Sequence, residues 1–161
     1  MTSDPHQLAP DHLPTPFTAE EIRLGCPPGR TLRYAHERGG QPTVIRVTRY
    51  VTGDADGCVQ ESWQESAEGT RLNAPERSSS TWRELQQHAS FEAATTTRDE
   101  DEIDLPAGSF QCLRYTRVDN RGTWRFWFAR NLPGSPVRFE QEVANEIVFK
   151  ATLLENKQSW A

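Results

Sequence analysis

Between Leu105 and Leu154 the chain alternates apolar and polar residues with a period of two, and each alternating segment is closed by residues that favour turns. Successive side chains point to opposite faces only in a strand, so this stretch constrains the fold more than any other. From Phe110 to Arg117 one face carries Phe110, Cys112, Arg114 and Thr116, and the other carries Gln111, Leu113, Tyr115 and Arg117. Aromatic and β-branched residues of this kind suit a half-buried pleat. Residues 118–122 follow as a hairpin turn in which Asn120 or Gly122 takes positive φ at little cost. The next segment sets Trp124, Phe126 and Phe128 against Arg125, Trp127 and Ala129, so both of its faces are partly apolar. Pro133 and Pro136 flank Gly134 and end it, because proline cannot donate to a ladder. Val137, Phe139, Gln141 and Val143 then alternate with Arg138, Glu140 and Glu142 as a strand with one wet face. Ala144, Asn145 and Glu146 turn the chain into Ile147, Phe149, Ala151 and Leu153. Four strands joined by short loops within about fifty residues form an antiparallel meander.

Upstream the signals are more mixed. Residues 1–16 are rich in Pro, Asp and His without periodicity and predict a disordered or loosely draped arm. Thr18 and Glu21 fit a capping box, with Phe17 placed to staple onto Ile22, and they open a helix of about two turns that Gly25, Pro27 and Pro28 stop. Residues 31–37 and 43–51 read as two strands around Gly39 and Gly40. Residues 58–64 and 70–72 read as a second pair. A polar, mobile connection is expected over residues 73–80. Thr81 and Glu84 form a second capping box before a helix of eight or nine residues whose Trp82, Leu85 and Ala89 must pack on the sheet, since a helix that short is unstable alone. The threonine-rich residues 91–97 fit another strand, and the acidic residues 98–104 a solvated edge. The whole predicts one mainly β domain over residues 17–155, an open curved antiparallel sheet or half-barrel with one or two short helices, followed by a tail over residues 156–161.

Several function classes fall away. A mean hydropathy of -0.76 and the lack of any long apolar run exclude a membrane-spanning helix. The first fifteen residues have neither a cationic start nor an apolar core, so the expected location is the cytoplasm. A formal charge of -5 with scattered arginines argues against nucleic-acid binding. Cys26, Cys58 and Cys112 are an odd set without a close pair, and no histidine sits near them at zinc-ligand spacing, so neither a disulfide framework nor a metal site is expected. Asp54 and Asp56 imitate a calcium loop but lack its first and last carboxylates, and they read as a hairpin turn. Motifs for nucleotide, hydrolase or metalloprotease chemistry are absent from the sequence, and no cofactor is expected.

The residues that invite a ligand cluster in the C-terminal meander. Tyr115, Trp124, Phe126, Phe128 and Phe139 would line the concave face of a curled sheet, or simply form its core. Trp127 lies among Arg114, Arg125 and Arg138 on the more polar face, either as a stacking platform for a planar or anionic molecule or beneath the helix that begins at Thr81, the latter being the simpler expectation. Residues 106–112, 126–129, 132–134 and 136–137 together resemble a motif set of uncharacterised bacterial proteins of a β half-barrel type, similar to the lipoprotein carrier LolA. That resemblance covers about the last fifty-five residues and implies a curved sheet around helical plugs with a concave apolar cavity. An enzyme of the violacein pathway is said to share the architecture with almost no obvious catalytic residues. The leading expectation is therefore a cytosolic binding protein for a small hydrophobic or amphipathic ligand. A cofactor-independent enzyme using Arg114, Arg125 and Trp127 on a planar substrate, and a homodimeric interaction module, are the alternatives.

Overall fold

The computed structural model describes residues 4–158. Helices α1 (Ala19–Gly25) and α2 (Trp82–Gln87) accompany nine strands: β1 (Thr31–Arg38), β2 (Val44–Gly53), β3 (Gly57–Ser66), β4 (Glu76–Thr81), β5 (Thr96–Leu105), β6 (Gly108–Asp119), β7 (Gly122–Ala129), β8 (Arg138–Val143) and β9 (Glu146–Lys157). They form one open curved sheet in the order β4-β3-β2-β1-β9-β8-β7-β6-β5, with every neighbouring pair antiparallel. Two meanders, β1 to β4 and β5 to β9, are thus joined where the first strand pairs with the last.

The turns follow from local chemistry. Asp119 faces Gly122 across the β6–β7 turn, and Gly122 has φ of 121°, a conformation that penalises any Cβ. Across the β8–β9 turn Val143 faces Glu146, with Ala144 and Asn145 both at positive φ, the pattern that matches the twist of a two-residue hairpin. Both capping boxes form, Thr18 with Glu21 and Thr81 with Glu84, each closing in both directions. The Oδ1 of Asp54 accepts from the amides of Asp56 at 2.8 Å and Gly57 at 3.0 Å and shapes the hairpin.

Four expectations need correction. Residues 70–72 make only an isolated bridge, Glu65 to Arg71, and the partner of β3 is β4, in the stretch expected to be a mobile connection. Strand β4 lies at the sheet edge with nearly every residue exposed, so it carries no apolar alternation to signal it. Residues 91–95 are not strand: β5 begins at Thr96 and runs through the acidic stretch as the other edge, where charge discourages further pairing. Phe91 instead plugs the sheet, 5.0 Å from the Phe126 ring and 5.2 Å from Tyr115. Finally, residues 4–16 are anchored. Leu13 N donates to Phe91 O at 2.8 Å, Tyr115 Oη to Pro14 O at 2.6 Å, and Gln86 Nε2 to Pro5 O at 2.8 Å. The arm satisfies its backbone through the body of the protein and needs no period of its own. The first three residues of the expected arm and residues 159–161 of the expected tail lie outside the described residues, and the tail's start is part of β9.

The core lies between the helices and the inner face of the sheet. Tyr115, Phe126, Phe139, Ala151 and His36 are lateral partners across β6, β7, β8, β9 and β1, and they form a continuous inner row. One residue away, Arg114, Trp127, Arg138, Thr152 and Ala35 run the same way on the outer face. A smaller cluster of Ile45, Val47 and Trp63 packs on the outer face of β2 and β3.

Candidate functional site

A cavity of about 490 Å³ lies between the inner face of the sheet and the two helices. Its size is that of a small-molecule site. The C-terminal meander supplies an aromatic wall of Phe126, Phe128 and Phe139, and the helices and the residues flanking them supply Phe17, Ile22, Leu85 and Ala89. Period-two alternation aims the three sheet phenylalanines at one side, and their rings couple: Phe126 to Phe139 at 6.2 Å, and Phe128 edge-on to Phe17 at 6.4 Å. The N-terminal meander supplies a polar wall instead, with Arg46, Thr48, Gln60, Ser78 and Ser80.

Between the two walls stand Tyr34, His36 and Tyr50. Tyr34 Oη donates to Pro136 O at 2.7 Å, and burial pushes its phenol well above the usual range. Tyr50 is raised too, chiefly by burial and then by the neighbouring Cys26 thiol. His36 lies edge-on to Phe149 at 5.3 Å and Phe139 at 6.3 Å. Burial first, then the charges of Arg46 and Arg38, lower its imidazole to about 4, so the ring is neutral near pH 7. Behind Gly134 sits Arg30, fully buried, whose guanidinium donates to Asn156 Oδ1 at 2.9 Å, Gly25 O at 3.1 Å and Pro133 O at 2.6 Å. Gly134 has φ of 119°, which penalises any Cβ, and a Cβ there would come within 3.2 Å of that guanidinium.

The residues singled out from sequence divide between the two faces. Phe126, Phe128 and Phe139 line the cavity. Tyr115 is on the same face but fully buried under Phe91 and the arm, and Trp124 stacks on Phe126 at 6.1 Å outside the lining. Arg114, Arg125 and Trp127 lie on the outer face and are committed to partners. Trp127 Nε1 donates to Asp101 Oδ2 at 2.9 Å, Arg114 pairs with the same carboxylate at 3.0 Å, and Arg138 stacks 5.6 Å from the Trp127 ring centre. The Trp127 indole leads the interactions that hold the Asp101 carboxyl below its ordinary value. Arg125 bridges Glu140 at 3.2 Å and Glu142 at 3.0 Å. Trp127 is 7% exposed, so the platform foreseen for a planar molecule is covered by the protein's own arginine and acids. Helix α2 is not that cover: its Leu85 and Gln86 face the cavity, on the other side of the sheet.

Sequence reasoning missed the polar wall and His36. In β2 the apolar residues Ile45 and Val47 face outward to Trp63, while Arg46 and Thr48, which look like a wet face, line the cavity. The signal was the alternation itself, but only the register shows which side the helices cover. The three cysteines are buried and unpaired, and burial raises the Cys58 and Cys112 thiols to about 11, which makes them poor nucleophiles.

No family model matches the chain, and no curated protein is similar enough to match it. Among solved structures the chain is similar to MucB, a LolA-like fold, with a TM-score of 0.59 at 12% identity, over 87% of this chain and 56% of the MucB chain. The chain therefore spans little more than half of that neighbour's length. At such identity the likeness is one of fold, and it agrees with the half-barrel expectation at that level.

Proposed function

We propose that the chain is a binding protein that holds one small apolar or amphipathic molecule in the cavity between the helices and the inner face of the sheet. The observation that carries this reading is the cavity of about 490 Å³, walled by Phe126, Phe128 and Phe139 on one side and by Phe17, Ile22, Leu85 and Ala89 on another. An apolar molecule there takes both its own surface and that of the rings out of water, at roughly 25 cal/mol per Å² removed. Two capped helices and a long β1–β9 ladder hold the walls before any ligand arrives, and such preorganisation lowers the entropic cost of binding.

Native mass spectrometry of the protein purified from its own host tests the reading. The expected result is a complex heavier than the chain by a small mass that is released on mild unfolding. A bare chain that also fails to bind a neutral apolar fluorophore such as N-phenyl-1-naphthylamine would overturn it. A bare species at twice the chain mass would turn attention to a homodimeric module.

A further inference from the structure

The charge around the cavity runs against the charge of the protein. The chain has 23 acidic and 18 basic side chains, for a formal charge of -5. Yet among the described residues that line the cavity none is Asp or Glu, while Arg46, His36 and His88 are present. The acids of β3 point the other way: Glu61 pairs with Arg49 and Arg77, and Glu65 with Arg33, all on the outer face. Glu76 of β4 shares the inner side by register with Ser62 but is exposed, outside the lining, and forms no ion pair with Arg46.

Two cations at or just behind the cavity wall, Arg46 and Arg30, have no carboxylate partner among the described residues. Arg46, exposed at the cavity rim, has only a long hydrogen bond to Ser62 Oγ at 3.4 Å. Arg30 is fully buried behind Gly134 and bonded to neutral acceptors, and its charge reaches the Tyr34 and Tyr50 hydroxyls that form the cavity wall. Beside Arg46 the register sets hydroxyl and amide donors in rows: Thr48 opposite Ser62, Tyr50 opposite Gln60, and Gln60 opposite Ser78. A cationic rim with neutral donors and no competing acid is the surrounding that a single oxyanion requires.

Resting on the cavity reading above, we infer that the molecule held there is an anionic amphiphile, its apolar chain against Phe126, Phe128 and Phe139 and its terminal carboxylate or phosphate beside Arg46, Thr48 and Ser78. The lowered proton affinity of His36, caused first by burial and only then by the charges of Arg46 and Arg38, accords with this. A cationic amphiphile would meet Arg46 and Arg30 unshielded, and a neutral one would leave Arg46 unpaired.

The test is displacement of N-phenyl-1-naphthylamine by decanoate, decyl phosphate, decanol and decylamine. Decanoate or decyl phosphate should compete about tenfold better than decanol, and decylamine worst. Which of the two anions leads distinguishes a carboxylate from a phosphate head. Arg46→Gln should abolish the preference while leaving decanol unchanged, Arg46→Lys should keep most of it, and Arg121→Gln, at a remote turn, should keep all of it. Equal competition by all four, or a preference for decylamine, overturns the anionic inference while leaving the cavity reading intact. Failure of the fluorophore and every competitor to bind overturns both.

Discussion

His36 stands where the aromatic and polar walls meet, and its protonation reports on both. Because its imidazole is lowered from 6.5 to about 4, the folded chain binds fewer protons than the unfolded chain between those values. Unfolding in that window takes up a proton, so the contribution of His36 to stability falls as the pH drops from about 6.5 to about 4 and is constant above it. Proton NMR of the His36 ring should give a midpoint near 4, moving upward when an anionic amphiphile is loaded. A midpoint near 6.5 in the empty protein would mean that the ring is neither desolvated nor facing the arginines. Arg30 sets a different constraint at this scale, because its fork serves four acceptors at once, the Cys26 Sγ at 3.0 Å among them. Arg30→Lys keeps the charge but leaves carbonyls unpaired, and chemical denaturation should register a loss of about 1–3 kcal/mol.

At the scale of elements, one side chain links α2 to both the arm and α1. Gln86 of α2 accepts from Ala19 N at 2.9 Å and donates to Pro5 O at 2.8 Å and Thr15 Oγ1 at 3.0 Å. Gln86→Ala should cost about 1–3 kcal/mol, and it should speed hydrogen exchange at the Leu13 and Thr15 amides while β7 amides stay protected. Unchanged exchange at those two amides would refute the anchoring. The β6–β7 turn gives a second measurement. A Cβ on Gly122 would come within 2.3 Å of Glu142 O, in addition to the strain of φ at 121°. Gly122→Ala should therefore lower stability by at least about 1–3 kcal/mol in urea melts. The same change at Gly40, where a Cβ meets nothing within 4 Å, should cost less.

For the molecule as a whole, the decisive contact is the pairing of β1 with β9, which makes one sheet of two meanders. Deleting residues 146–161 removes the strand that holds β1 and β8 together. The truncated chain should lose its near-ultraviolet circular dichroism entirely, not retain a folded N-terminal half, and the intact chain should melt in one transition. The period-two runs of β6 to β9, the two capping boxes and the turn residues Gly122, Ala144 and Asn145 were all readable in the chain, because each is a local rule between residues a few positions apart. Strand β4 was hidden: its serines carry no apolar period, and only β3 across the ladder makes them a strand. The anchored arm and the plug role of Phe91 were hidden for the same reason, since their partners are far away in sequence. Of the site, sequence alone determined that Phe126 and Phe128 share one face of their strand; that Phe139 stands beside Phe126 is a matter of register. The tertiary structure alone decided that Trp127 is covered by Arg138 and tied to Asp101, and that Arg46 and Thr48 look into the cavity while Ile45 and Val47 look out. Alternation says that two faces differ; only the placement of the helices says which of them is inside.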